Sequence, residues 1–184
     1  MLRGNRELWL AFLAMIMITG LYGLIVVFTR GIPPATELFG HGIGILGFVF
    51  MLMTEVLYSL RKRSRSVKWG MMSNWLQFHI FTGLVGPYMV LLHTSWKFNG
   101  LAGVTTLFTV IIVISGFIGR YIFTRIPRTM DGLEIEGTLS QEALKQARRW
   151  MALWHTVHIP IGMALFVSAF VHIGAALYYA TLLK

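Results

Sequence analysis

The sequence predicts an all-α membrane protein of five transmembrane helices, the last four forming a four-helix bundle. Three observations carry that prediction. Of 184 residues, 56% are hydrophobic and only 12% charged, with a mean hydropathy of +0.69. The apolar residues fall in runs of about 20, the length that crosses the hydrocarbon core of a bilayer. The third is a repeated interval: His79 and His93 in one run, His158 and His172 in another, each pair fourteen residues apart.

The first predicted span, 8–29, is long and uninterrupted and lacks a small-residue cleavage site, so it reads as a retained helix rather than a signal peptide. Arg30 and the turn Gly31-Ile32-Pro33-Pro34 close it, since proline cannot continue a helix. The second span, 38–60, stops at a basic run from Arg61 to Lys68. The third, 73–96, is joined by the short link Lys97-Phe98-Asn99-Gly100 to the fourth, 101–123. A polar segment follows. In it Thr138-Leu139-Ser140-Gln141 fits a capping box, and 141–149 is a helix with its basic residues late. That helix is predicted to lie on the inner membrane surface and run into the fifth span, 150–183. Residues 1–37 are thus an extra transmembrane helix with an outer loop. Residues 38–184 form the bundle, with a cytoplasmic connector at 124–149.

The net charge of +9 does not point to nucleic acid, because the basic residues lie in the gaps between apolar runs. There they report topology and contact with anionic membrane lipid. Thirteen of the sixteen Lys and Arg sit at the N-terminus, in 61–68 or in 120–149; Arg30, Lys97 and Lys184 are opposite. The positive-inside rule therefore predicts a cytoplasmic N-terminus and an outer C-terminus, in a prokaryotic cytoplasmic membrane. The chain has no cysteine, which excludes disulfides, cysteine-ligated iron–sulfur clusters and covalently attached haem.

Fourteen helical residues rise about 21 Å and return to within about 40° of the starting azimuth. Each histidine pair therefore presents two imidazoles on one face, one near each membrane border. The third and fifth spans run in the same direction, so His79 is level with His158 and His93 with His172. Ionisable groups inside a bilayer are functional by default. Neutral imidazole is a good iron ligand, and two per iron leave no open position, which suits electron transfer. The expectation is two haem b groups with bis-histidine ligation: His79/His158 on the cytoplasmic side and His93/His172 on the outer side. A ligand imidazole needs a partner for its other ring nitrogen. Pro87 and Pro160 free the carbonyls of Gly83 and Thr156 for that task.

Around the rings, Gly42, Gly44, Gly47, Gly83, Gly86, Gly103, Gly116 and Gly119 either admit a macrocycle or serve ordinary close packing of membrane helices. Arg120 is the candidate partner for the propionates of the cytoplasmic haem, followed by Arg125 and Arg128. Lys97, one turn beyond His93, is the candidate on the outer side. All four also fit interfacial snorkelling. His41 at the outer border and His155 at the inner border are candidates for contact with a quinone or a propionate, or are simply hydrated interfacial histidines. The eleven methionines are better explained by packing than by iron ligation.

Through His79, His93, His158 and His172, supported by Gly116, Gly119 and Arg120, residues 38–183 resemble the dihaem core of the cytochrome b/b6 superfamily, including its b561-type and ferric-reductase-like relatives. The resemblance implies a dihaem-binding four-helix bundle that carries electrons across the membrane as a subunit of an oxidoreductase complex. It implies partner redox subunits (iron–sulfur, flavin or multihaem proteins), with a quinone pool or a reductase as the other terminus. The chain departs from cytochrome b in lacking a Pro-Glu-Trp-Tyr motif and four further helices, so no quinol site carries over. It has no flavin or NADPH domain, so it is expected to be one subunit of a larger assembly. A haem-free proton or metal transporter using the same histidines, and a structural anchor for redox partners, are the alternatives.

Overall fold

A computed structural model describes residues 5–63, 70–126 and 140–182. They form α1 (Arg6–Thr29), α2 (Leu38–Arg63), α3 (Met72–His93), α4 (Gly100–Thr124) and α5 (Gln141–Leu182). All five are long and apolar enough to span a membrane. The protein is therefore all-helical, with the transmembrane character the composition predicts.

The ends follow local chemistry. Arg30 adopts a left-handed conformation (φ 53°) and turns its N–H back onto the last carbonyls of α1. Arg61, Lys62 and Arg63 fall inside the last turn of α2, where cations complement the helix dipole. The third helix is shorter than predicted and stops at His93. The Thr94 hydroxyl donates to the Leu91 carbonyl at 2.7 Å and accepts the Trp96 N–H at 3.1 Å. Ser95 and Trp96 then take positive φ of 49° and 62°.

The fifth helix follows the expectation in one respect. The polar 141–149 segment runs into the span, in one helix of 42 residues, about 63 Å of rise. Its cap is Ser140, whose Oγ accepts the Ala143 N–H at 3.3 Å; Thr138, the predicted cap, lies outside the described residues, as does the connector 127–139.

Packing divides the helices into two pairs, α2 with α3 and α4 with α5, while α1 lies against α3. Small residues set the close approaches, as expected where lipid removes the hydrophobic drive for helix association. A Cβ added at Gly47 would lie 2.8 Å from the Gly86 carbonyl oxygen, and one at Gly86 would lie 2.9 Å from that of Gly47. Ala11, Tyr22, Val85, Met89 and Leu92 form the core where α1 meets α3, and Ile43 of α2 joins it. Thr19 and Tyr88 share a hydrogen bond across α1 and α3. The outward faces of α1 and α5 stay apolar and exposed, Phe28 and Val167 among them, as lipid contact requires. Among the described residues, no Cα of α2 or α3 lies within 8 Å of one in α5. The two pairs meet there through aromatic side chains: Phe48 of α2 touches Phe166 and Phe170 of α5, with ring centroids 6.3 and 5.5 Å apart.

Candidate functional site

Because α2 and α3 stand clear of α5, a cavity of about 790 Å³ opens toward the end that carries the N-terminus, within the range of about 300–1,000 Å³ usual for small-molecule and cofactor sites. His79 projects from the α3 wall, His158 and His155 from α5, Thr54 and Tyr58 from α2, and Gly116 belongs to α4. A Cβ at Gly116 would meet nothing within 4 Å, so this glycine leaves open space beside the histidines.

The ring nitrogens are set by their partners. His79 Nδ1 lies 3.0 Å from the Thr54 carbonyl oxygen, and His93 Nδ1 lies 2.8 Å from that of Gly40. A carbonyl can only accept, so in both rings the neutral imidazole carries its proton on Nδ1 and leaves a bare lone pair on Nε2. That is the tautomer a metal ligand needs, with the backbone bond fixing ring orientation. Both acceptors are on the neighbouring helix α2; neither is one of the carbonyls released by Pro87 or Pro160. Gly44 makes the second contact sterically feasible, since its Cβ would lie 2.7 Å from His93 Cγ and Nδ1.

His158 is held differently. Its Nδ1 lies 2.9 Å from Ser115 Oγ on α4. The Ser115 carbonyl accepts the Trp154 Nε1–H at 2.7 Å, and the Trp154 ring stacks on His158 with centroids 4.5 Å apart. Trp154 fits because α4 has no side chain at Gly119, where a Cβ would sit 2.2 Å from the indole. Both glycines line the cavity; Gly119 is in addition occupied by the Trp154 indole, whereas Gly116 has open space beside it.

His158 feels the charge of His79 and of His155, and His172 that of His93. Tyr58 covers the His79 ring at 4.7 Å, and Lys62 Nζ sits 5.7 Å above the centre of the Tyr58 ring. His41 is exposed, with its ring centroid 6.3 Å from that of His93. His155 lines the cavity one turn before His158.

Two cationic candidates are placed otherwise than the helical spacing implied. Arg120 does line the cavity, but its guanidinium donates to Glu7 Oε1 from Nη2 at 2.6 Å and Nε at 3.1 Å, and to Asn5 Oδ1 at 3.1 Å. Lys97 is exposed and lies past the left-handed turn at Ser95 and Trp96, so the helical register that put it on the face of His93 ends before it. Arg125 stacks on Tyr121 at 4.7 Å, and Arg128 lies outside the described residues. The cations at the cavity rim include Lys62 and Arg63, which the sequence had assigned to a loop. Sequence reasoning also missed Thr54, Gly40, Ser115, Trp154 and Glu7. For Glu7 a signal existed: a carboxylate at the start of an otherwise apolar span.

Among the described residues no cluster of three or more His, Cys, Asp or Glu side chains could hold a metal ion. No family model, curated protein or solved structure matches the chain.

Proposed function

We propose that the protein is a membrane-embedded dihaem cytochrome of b type that carries electrons between the two faces of the membrane. The observation that supports this best is the cavity between the helix pairs. His79 and His158 enter it from opposite sides, and the Thr54 carbonyl leaves Nε2 of His79 with an unprotonated lone pair. Two imidazoles do not complete a metal's coordination sphere, so a bare ion is poorly served; a porphyrin brings four nitrogens of its own and needs only the two axial ones. Bound haem iron supplies one-electron redox chemistry.

The chain's residues divide the remaining work. His79 and His158 would hold one haem, His93 and His172 the other, at levels about 21 Å apart along α3. Thr54, Gly40 and Ser115 orient the ligands, and Gly116 leaves room for the ring. Lys62, Arg63 and His155 also line the cavity and would be available to propionates. His41, beside His93, is placed to take a proton or touch a quinone at the other face. The basic end is the cytoplasmic one by the positive-inside rule. The four-histidine pattern is that of the cytochrome b/b6 superfamily, and the partners are redox subunits on either face, with a quinone as a further candidate.

The test is a reduced-minus-oxidised spectrum and a haem-to-protein ratio on the detergent-purified chain. A b-type difference band with two haems per chain is expected. Protein without that band would refute the reading and favour a haem-free transporter.

A further inference from the structure

The sides of the cavity are not closed alike. On one side α3 packs on α4, and α1 adds a cover. Leu8 of α1 lines the cavity. Beside it Glu7, with its side chain 1% exposed, is held by Arg120 of α4 at 2.6 Å. Separating a buried charge from its partner is strongly unfavourable, so this side stays shut.

The side between α2 and α5 has no such cover. Among the described residues no Cα of one helix lies within 8 Å of the other. The rings that bridge them are Phe48, Phe166 and Phe170. Phe48 and Phe166 lie about two turns from Glu55 and His158 respectively, toward the end away from the N-terminus. Between those rings and the basic end, single residues belong both to the cavity and to the outer surface. Glu55 of α2 lines the cavity and is exposed; Ile159 of α5 lines it and is 41% exposed. Glu55, Ser59 and Arg63 also border a depression on the outside of α2. Its other walls are Val56 and Leu60, two exposed apolar side chains. The cavity thus continues through the α2–α5 gap onto an apolar surface of a membrane-spanning helix.

This slot is chemically two-ended. Toward the interior its walls are apolar, Val113 and Leu165 among them. At the basic end Lys62 and Arg63, in the last turn of α2, both line it. They outnumber Glu55, whose Oε1 accepts the Ser59 hydroxyl at 3.3 Å, and Arg120 is already matched by Glu7. A small hydrated ion gains nothing from apolar walls. A molecule with an apolar body gains by burying it there, while an anionic end stays with the cations at the membrane surface.

We propose that the cavity is filled sideways from the bilayer, through the slot between α2 and α5, by an amphiphile with an apolar body and an anionic end. The haem of the reading above is one such molecule and a fatty-acid anion is another. The slot is read from the helices and goes beyond that reading, since it does not depend on which of the two fills the cavity.

The chain has no cysteine, so Gly116→Cys carries a single thiol for a nitroxide spin label, on a wall with open space beside it. The full-length protein is placed in lipid vesicles. Collisions of the label with oxygen, which concentrates in lipid, are compared with collisions with a water-soluble nickel chelate. The oxygen-to-nickel ratio should match that of Val167→Cys, a site on α5 that is 65% exposed. It should exceed that of Gln141→Cys, at the polar end of the same helix. Ile159→Trp should obstruct the slot and lower the oxygen collisions. Val113→Cys, on the same wall, gives the same reading if Gly116→Cys does not fold. Oleate added to the vesicles should displace oxygen from the label, and the amount needed should rise about fivefold in each of Lys62→Gln and Arg63→Gln. Uncharged oleyl alcohol should show no such dependence. A nickel-dominated ratio, a label shielded from both reagents, an unchanged reading in Ile159→Trp, or an oleate requirement indifferent to both cations overturns the proposal. A lipid-accessible label that responds to oleate, in protein that gives no b-type band with added haemin, supports the slot and overturns the dihaem reading alone.

Discussion

On the proposed dihaem reading, replacing Gly44 by alanine tests the geometry of His93 as a ligand. The added Cβ would sit 2.7 Å from two atoms of the His93 ring, whereas carbon atoms rest at about 3.5–4.0 Å. The imidazole must therefore retreat by about 0.8 Å from α2. That movement stretches the 2.8 Å bond to the Gly40 carbonyl toward about 3.6 Å, beyond hydrogen-bonding distance. A buried ring nitrogen without its acceptor costs about 1–3 kcal/mol, equivalent to a roughly 5- to 150-fold weaker hold on a cofactor at that level. The assay is haem retention by the purified variant under increasing detergent, resolved into two components by redox titration. The component lost should be the one that His172→Ala removes, with the His79/His158 component intact. Gly42→Ala is the matched control, because a Cβ there meets nothing within 4 Å. Full retention in Gly44→Ala, or equal damage in Gly42→Ala, would refute the reasoning.

Three further outcomes follow from contacts already described. Ser115→Ala removes the partner of His158 Nδ1 and, if the dihaem proposal holds, should weaken retention of a haem held by His158 by about 1–3 kcal/mol, measured by haem release, with the one held by His93 unaffected. Gly119→Ala drives a methyl into the Trp154 indole and should lower stability by about 1–3 kcal/mol, read as an earlier thermal transition in detergent; Gly116→Ala should leave the transition of the haem-free protein unchanged. Arg120→Gln strands Glu7 as a buried unpaired carboxylate and should cost about 3–5 kcal/mol; the double variant Glu7→Gln/Arg120→Gln should recover more than half of that in chemical denaturation.

Local information in the chain was enough for the helix count and pointed to His79 and His158, which line one cavity. Apolar runs and a fourteen-residue interval depend only on rise and turn per residue, and neither needs a partner to be read. The misreadings arise where a distant residue decides. His93 takes its acceptor 53 positions away, at Gly40. Arg120 is claimed by a carboxylate 113 positions away, and no periodicity links the two. The early end of α3 has a third cause: the Thr94 hydroxyl competes for backbone groups, a choice that composition alone does not settle. Gly116 and Gly119 were indistinguishable as letters three positions apart; both line the cavity, yet Gly119 alone is packed under an indole.

The phenylalanine contact between α2 and α5 has a consequence for how far apart those two helices are held. Among the described residues no Cα of α2 comes within 8 Å of one in α5, so ring-on-ring contact of Phe48 with Phe166 and Phe170 bridges the gap between them. Phe166 also lines the cavity, and such aromatic pairs are worth about 0.5–1.5 kcal/mol beyond the area they bury. The width of the chamber on that side is therefore tuned by side chains, which a single substitution can change without unpacking either helix pair.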